Sequence, residues 1–196
     1  TTVDSAGDTG DYTSLAFGPD GHPAISYYDR TNGDLRFARF NGTSWSSVTV
    51  DAAGDTGRYT SLAFNPAGQP AISYYDSTNG DLRFACLQPP SRQSPIESWN
   101  ILIVDGVAPR ERDTGQFTSL AFGPDGLPAI SYYDLSTDSL RFAQPNGTIW
   151  SITTVDAEGS TGTYTSLAFG PDGQPAISYY DGTTFDLRLA RFDGGS

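Results

Sequence analysis

The chain has 196 residues and a formal net charge of −12, which comes from 23 acidic residues against 11 arginines and no lysine. An aromatic content of 13% and a charged content of 17% fit a packed β protein better than a disordered chain, and the negative field disfavours nucleic acid as a partner. The single cysteine, Cys86, excludes an internal disulfide, and no apolar run is long enough to predict membrane insertion.

One sequence unit recurs four times along the chain. Its clearest part is the run Tyr-Thr-Ser-Leu-Ala-Phe, a turn containing Pro and Gly, and then Pro-Ala-Ile-Ser-Tyr-Tyr-Asp. The copies start at Tyr12, Tyr59, Phe117 and Tyr164, so the spacings are 47, 58 and 47 residues. A fixed period of this length predicts a repeat architecture.

Each unit contains four short segments with the features of β-strands. In the first unit, Tyr12–Phe17 alternates in polarity, and Gly18–Gly21 has the composition of a tight turn. Pro23–Asp29 is the second segment, an Asn-Gly hairpin signal leads into Leu35–Phe40, and Trp45–Val50 is the fourth. Since no segment has the apolar spacing of a helix, we predict an all-β protein.

Four strands in a unit of about 47 residues are typical of a propeller blade. We therefore predict a single β-propeller domain with four four-stranded blades. The predicted blades are residues 5–51, 52–105, 106–156, and 157–196 together with 1–4.

Short motifs in the unit resemble known propeller families. Ser14–Gly21 resembles the innermost strand and turn of WD40-type blades. Ile25–Asp29, Asp34-Leu35 and Asn41–Trp45 are similar to the repeat rhythm of sugar-binding, lectin-like propellers of bacteria and fungi. The resemblance implies a ring of blades and a sugar ligand.

The chain ends suggest how the ring would close. The fourth unit stops before its fourth strand, and Thr2-Val3-Asp4 matches Thr49-Val50-Asp51, so we expect the N-terminal strand to complete the last blade. Two alternatives stay open: the chain is half of an eight-bladed dimeric ring, or it is part of a longer array. A start at Thr1 without any methionine also indicates a processed or excised piece.

The same position of the third strand holds an arginine in every unit. These side chains are candidates for binding an anion or a sugar hydroxyl. The alternative is an ion pair with an aspartate of the same blade, which recurrence in all units favours. The four residues are Arg36, Arg83, Arg141 and Arg188.

Recurrent aromatic residues are candidate stacking platforms for sugar rings. Packing between blades is the alternative, and it is the more common use of aromatic side chains at repeated positions. The candidates are Tyr28, Tyr75, Tyr133, Tyr180, Trp45, Trp99 and Trp150.

Carboxylates are frequent in the loops that join units and in those that join the second and third strands. Clustered carboxylates favour cations, so calcium is the one cofactor that the sequence leaves open, at Asp29, Asp34, Asp76 and Asp81. The alternative is that these aspartates cap turns through their own backbone.

No set of residues in the sequence stands out as catalytic, so the prediction is that the protein is not an enzyme. Near-identical units favour a non-catalytic, extracellular or cell-surface module that binds a protein or carbohydrate partner or assembles with it. The alternatives are a lectin, a structural subunit of a homo-oligomer and, last, a hydrolase. Extra residues in Leu87–Ser98 and Gly106–Arg112 break the symmetry and are expected to contact a specific partner.

Overall fold

A computed structural model of the chain describes residues 1–90, 97–106 and 112–193, and every regular element in these residues is a β-strand. The centres of the two symmetry-breaking loops, 91–96 and 107–111, lie outside the described residues, so the predicted partner contacts there stay predictions. The strands are β1 Thr9–Phe17, β2 Pro23–Asp29, β3 Asp34–Phe40, β4 Trp45–Asp51, β5 Thr56–Phe64, β6 Pro70–Asp76, β7 Asp81–Gln88, β8 Ser98–Asp105, β9 Thr114–Phe122, β10 Pro128–Asp134, β11 Ser139–Asn146, β12 Ile149–Asp156, β13 Thr161–Phe169, β14 Pro175–Asp181 and β15 Asp186–Arg191.

The strands form four antiparallel meanders, one for each sequence unit. The sheets have the orders β1-β2-β3-β4, β5-β6-β7-β8, β9-β10-β11-β12 and β13-β14-β15, and we call them blades 1 to 4. Tight turns set the register, which pairs Phe17 with Pro23 and Asp29 with Asp34 in blade 1. The turn after β1 is closed by a hydrogen bond from the Gly21 amide to the Gly18 carbonyl, as expected from its composition.

Consecutive blades pack face to face, with their first strands adjacent to one another. Between blades 1 and 2, Leu35 and Phe37 of β3 bury against Leu62, Ile72 and Tyr74 of the next blade. Each such side chain contributes about 1.5–3 kcal/mol of transfer free energy. Two further clusters repeat this packing between blades 2 and 3 and between blades 3 and 4. The result is the blade arrangement of a β-propeller, as predicted.

The described residues do not close the ring. β15 has no fourth strand beside it, and Leu187 of blade 4 and Phe17 of blade 1 are 84% and 65% exposed. The prediction that the N-terminal strand completes the last blade is therefore wrong. The physical reason is that packing between consecutive blades sets the angle between them, and this angle leaves the outer face of blade 4 and that of blade 1 apart.

No helix in the described part of the chain is long and apolar enough to cross a membrane.

Candidate functional site

Four aromatic rings, one from each first strand, form a continuous row at the centre of the blades. The ring centroids are 4.7 Å apart between Tyr12 and Tyr59, 4.5 Å between Tyr59 and Phe117, and 4.6 Å between Phe117 and Tyr164. The rings are tilted by 43–54°, in the range of favourable aromatic contacts. We call these four residues the aromatic arc.

Each residue of the aromatic arc lies at a break in the hydrogen-bonded pairing of its strand, and its backbone conformation sets the direction of the ring. Tyr12, Tyr59, Phe117 and Tyr164 have φ angles of 51–54°, in the left-handed region that aromatic residues rarely adopt. In blade 1 the pairing jumps from Asp11 with Tyr28 to Ser14 with Ser26, so Tyr12 lies in a bulge. Strained backbone that recurs in every blade indicates a position where the side-chain direction matters.

A threonine follows each residue of the aromatic arc, and the eight side chains together line a cavity of about 230 Å³. The threonine hydroxyls anchor this wall. Thr60 donates to Ser26 at 2.8 Å, and Thr118 donates to the Tyr59 carbonyl at 3.0 Å. A cavity that combines aromatic faces with hydroxyl groups suits an amphipathic ligand.

A second layer of tyrosines supports the aromatic arc from behind. Tyr28 lies 6.2 Å from Tyr12, measured between ring centroids, and its hydroxyl donates to Asp55 of the next blade at 2.7 Å. Tyr75 repeats both contacts, with Tyr59 at 6.2 Å and with Asp113 at 2.7 Å. The hydroxyl therefore crosses from one blade to the next, while the ring supports the arc.

Polar groups occur beside the aromatic arc. Arg58, the residue before Tyr59, pairs with Asp55 at 2.7 Å and lies over the Tyr28 ring at 5.4 Å. Burial acts to raise the pKa of Asp55, but hydrogen bonds from Tyr28 and Ser77 and the charge of Arg58 outweigh it, and the pKa is lowered. Asp55 is therefore an ionised, partly exposed acceptor next to the aromatic faces.

Three of the four arginines singled out by the sequence join adjacent blades. Arg83 of β7 lies 3.1 Å from Asp51 of the preceding blade and 2.5 Å from Asp76 of its own. Arg141 and Arg188 make the same two kinds of ion pair. Arg36 pairs with Asp29 of its own blade and with Asp4 of the N-terminal segment. A role of the four arginines in ligand binding stays a prediction.

The tyrosines and tryptophans of the sequence-based prediction lie in two places. Tyr28, Tyr75, Tyr133 and Tyr180 each approach a ring of the aromatic arc, at 6.2–6.4 Å. The tryptophans instead lie on the fourth strands, away from the arc. Trp99 packs on Phe37 at 5.3 Å and Trp150 on Phe84 at 5.4 Å, both across a blade interface, while Trp45 packs on Phe40 at 5.5 Å.

The four predicted metal ligands lie at strand ends. Asp29 and Asp76 are the last residues of β2 and β6, and Asp34 and Asp81 are the first residues of β3 and β7. Asp29 accepts hydrogen bonds from the Thr31 and Asn32 amides, and Asp76 accepts the equivalent two. Burial first and Asp29 second raise the pKa of Asp34, and burial and Asp76 raise that of Asp81. Among the described residues no group of three or more His, Cys, Asp or Glu side chains could hold a metal ion, and calcium binding stays a prediction.

A larger cavity of about 510 Å³ lies between blades 3 and 4. Its walls are apolar and include Phe142 and Val155 of blade 3 and Phe169, Ile177 and Phe192 of blade 4. At the two preceding interfaces the corresponding space is occupied by Trp99 and by Trp150, which come from fourth strands. Blade 4 has three strands in the part of the chain that the structure describes, and none of these residues is a tryptophan that could fill this position.

No protein-family model and no curated protein matches the sequence. Solved structures with a similar fold include a protein of unknown function from Dyadobacter fermentans DSM 18053, with a TM-score of 0.62 and 12% identity over 92% of this chain and 59% of that one. A Hadza microbial sialidase has a TM-score of 0.61 and 12% identity over 95% of this chain and 45% of the sialidase. The GH93 α-L-arabinofuranosidase of Fusarium graminearum has a TM-score of 0.57 and 15% identity over 91% of this chain and 58% of the enzyme. The chain thus spans about half the length of these proteins, and the likeness shows the propeller fold.

These neighbours contradict two of the sequence-based predictions. The solved structures of similar fold include several proteins named as glycoside-cleaving enzymes, among them a sialidase, α-L-arabinofuranosidases and a xylan β-1,4-xylosidase. The predictions of a non-catalytic module and of a protein that is not an enzyme are therefore wrong. They rest on the absence of a distinct catalytic set in the sequence, and such a set is hard to see when every unit carries several aspartates.

Sequence reasoning missed the aromatic arc. It assigned Tyr12 to the alternating part of a regular strand, whereas the strand starts at Thr9 and bulges at this residue. A usable signal was present, because a glycine stands two residues before each arc aromatic and a threonine directly after it. An isolated glycine inside a strand pattern is a bulge signal.

Proposed function

We propose that the protein is carbohydrate-active and takes a saccharide over the aromatic arc. The observation that carries the proposal is the recurrence, in all four blades, of an aromatic residue held at positive φ so that the rings form one row. Sugar rings present apolar C–H faces to aromatic rings and hydroxyls to their edges. The Asp55–Arg58 pair, which is partly exposed, supplies hydrogen-bonding groups beside such a ligand.

The similar folds support this proposal in general terms, since the proteins named above are called a sialidase and an α-L-arabinofuranosidase. We also propose an extracellular or cell-surface location, because polymeric saccharides occur there.

A protein partner is a separate proposal, and no contact of the aromatic arc requires one.

The test is a glycan array, followed by titration of the best saccharide by calorimetry. Tyr164→Ala is the informative variant, because the side chain is 72% exposed and we expect the fold to tolerate its removal. We expect it to weaken binding by about tenfold, which corresponds to about 1.4 kcal/mol. Phe185→Ala is the matched control, since this aromatic residue is also exposed but lies outside the arc, and it should bind as the unmodified chain does.

A second candidate is hydrolysis of a glycosidic bond at the same place. It is favoured by carboxylates beside the arc, namely Asp11, next to Tyr12, together with Asp55 and Asp113, which accept hydrogen bonds from the second layer. Glycoside cleavage requires two carboxyl groups. A panel of chromogenic aryl glycosides tests it, with Asp55→Asn and Asp113→Asn expected to abolish turnover while saccharide binding is retained.

The proposal is wrong if both the saccharide-binding assay and the glycoside-cleavage assay are negative. If no saccharide binds and no glycoside is cleaved at high protein concentration, with or without calcium, the aromatic arc serves the fold alone.

A further inference from the structure

The sequence contains four Asn-Gly pairs, each located where one strand leads into the next. Because glycine has no Cβ, its amide nitrogen can approach the side-chain carbonyl carbon of the preceding asparagine. Attack at that carbon closes a succinimide ring and releases ammonia, so each pair is a candidate site of chemical modification. The pairs are Asn32-Gly33, Asn41-Gly42, Asn79-Gly80 and Asn146-Gly147.

Two of the four pairs, one in blade 1 and one in blade 2, lie in the turn between the second and third strands. The side-chain amide of Asn32 donates to the Asp29 carboxylate at 2.8 Å, and the Gly33 amide donates to the Asp29 carbonyl at 2.8 Å. Asn79 and its glycine make the same two bonds to Asp76. The leaving nitrogen and the attacking nitrogen are both engaged in these pairs, so we expect them to react slowly.

The pair Asn41-Gly42 lies in the exposed turn between β3 and β4. The side-chain carbonyl oxygen of Asn41 accepts hydrogen bonds from the amides of Thr43 and Ser44, both at 2.9 Å. Attack on the side-chain carbon places negative charge on this oxygen, and N–H donors that already point at it stabilise that charge. In the part of the chain that the structure describes, no hydrogen bond engages the Gly42 amide.

The single histidine of the chain lies beside this turn. His22 belongs to the turn between β1 and β2 and packs edge-on against Phe40, with 5.9 Å between the ring centroids. A Cβ added to Gly42 would lie 3.2 Å from Nε2 and 3.2 Å from Cε1 of His22, and no other residue beyond the chain neighbours of Gly42 comes within 4 Å of that point. Imidazole is a common general base, and here it is adjacent to the amide that must lose a proton.

Two charged groups face His22. Asp20 accepts a hydrogen bond from the His22 amide at 3.1 Å and pairs with Arg39 at 2.8 Å. The Asp20 carboxylate is therefore occupied by these two donors, and the imidazole is the base closest to Gly42.

We propose that Asn41-Gly42 is a self-modification site at which His22 promotes succinimide formation. The proposal is independent of the proposed function. The Gly42 nitrogen gives its proton to the imidazole and bonds to Cγ of Asn41, after which the Cγ–Nδ2 bond breaks and the imidazolium returns the proton to the departing ammonia. Water then opens the ring at either carbonyl and leaves aspartate or isoaspartate. Both products add a negative charge to the turn between β3 and β4.

Blade 3 contains a matched pair without the base. Asn146-Gly147 occupies the same turn and is exposed, but Leu127 stands at the position of His22. A Cβ added to Gly147 would meet nothing within 4 Å. The reaction at Asn146 therefore reports the rate of an exposed Asn-Gly pair that has no imidazole beside it.

Peptide mass spectrometry of the purified chain during incubation at neutral pH tests the proposal, because it measures the reaction separately at each asparagine. We expect Asn41 to react fastest, Asn146 more slowly, and Asn32 and Asn79 least. His22→Gln introduces the residue that blades 2 and 4 carry at this position. It should slow the reaction at Asn41 by about tenfold, less than the roughly hundredfold that a positioned base contributes in an enzyme, and leave the rate at Asn146 unchanged.

The pH dependence separates a base from a merely structural role of His22. An imidazolium cannot accept a proton, so the rate at Asn41 relative to that at Asn146 should fall on acidification in the unmodified chain and stay constant in His22→Gln. The proposal is overturned if Asn41 reacts no faster than Asn146 or if His22→Gln leaves the rate at Asn41 unchanged. It is also overturned if the ratio of the two rates in the unmodified chain does not depend on pH.

Discussion

Asp51, the last residue of β4, accepts a 2.7 Å hydrogen bond from the hydroxyl of Tyr74 in the next blade. The same carboxylate lies 3.1 Å from Arg83, so one buried group holds two side chains of its neighbour. Burial, followed by the charge of Asp51, raises the pKa of Tyr74. Asp4, Asp105 and Asp156 make the equivalent bonds to Tyr27, Tyr132 and Tyr179.

Asp51→Ala should be strongly destabilising. The change leaves the Arg83 charge with one carboxylate fewer and the Tyr74 hydroxyl buried without an acceptor, and breaking a buried pair of this kind costs about 3–5 kcal/mol. Chemical denaturation measures the effect. Asp20→Ala removes an exposed carboxylate that pairs with Arg39, and this control should leave the midpoint almost unchanged. Equal effects of the two changes would contradict the structural role of Asp51.

The backbone at the aromatic arc gives a second prediction. Phe117 has φ of 53°, and a left-handed conformation costs a residue with a Cβ about 1–2 kcal/mol. Phe117→Gly should therefore be more stable than Phe117→Ala by about 1 kcal/mol, although both lose the contacts of the ring.

The matched control for Phe117 is Phe122 in the same strand, which lies outside the positive-φ residues. There the order should reverse, because glycine in an ordinary strand position is less stable than alanine. Urea denaturation of the four variants provides the comparison. Alanine exceeding glycine at both positions would mean that Phe117 does not hold the left-handed backbone.

The strands and turns could be predicted from the sequence, because turn-forming residues and the alternation of apolar and polar residues are signals within short segments. The predicted segment Pro23–Asp29 is the observed β2, and Trp45–Val50 is β4 less one residue. The bulge at Tyr12 was not predicted, because the predicted segment starts at Tyr12 and leaves out Gly10, the residue that signals the bulge. Ring closure was predicted wrongly, since the angle between blades is set by packing among residues far apart in the chain.

The site was less predictable than the fold for a related reason. Repetition marks ion pairs, core aromatics and ligand contacts equally, so Arg83 and Trp150 stayed candidates for the site although ion pairing and packing were the favoured interpretations. Structural and candidate ligand-binding residues differ in how far their side chains are exposed. Arg83 lies between two buried carboxylates and Trp150 packs on Phe84, whereas the side chain of Tyr164 is 72% exposed.

A third prediction concerns the pH dependence of stability. Burial and the neighbouring charge of Asp76 raise the pKa of Asp81, and blade 3 carries the neutral Ser139 at the same position. A carboxyl whose pKa is raised in the folded state contributes stability at low pH, and this contribution is lost as the pH rises through the folded-state pKa. Asp81→Ser should therefore raise the melting temperature at neutral pH.

The gain from Asp81→Ser should shrink as the pH falls below the ordinary pKa of an aspartate, where both states of the unmodified chain are protonated. Thermal melts between acidic and neutral pH measure this. Asp186 occupies the same position in blade 4 and is exposed, so Asp186→Ser is the control and should leave the melting temperature at neutral pH almost unchanged. A gain that does not change with pH would mean that it arises from packing, not from the charge.

The fourth prediction separates the tryptophans from the candidate site. Trp150 packs on Phe84 across the interface between blades 2 and 3, with centroids 5.4 Å apart, and it joins the cluster that contains Leu120 and Tyr132. Trp150→Ala should lower the free energy of unfolding by about 3–5 kcal/mol, because truncating a large aromatic side chain removes its buried surface and leaves a cavity. The neighbouring Ile149 is 67% exposed, so Ile149→Ala should change stability by less than about 0.5 kcal/mol. If Trp150→Ala instead keeps its stability and loses saccharide binding, the sugar contacts the outer strands and the aromatic arc is not the site.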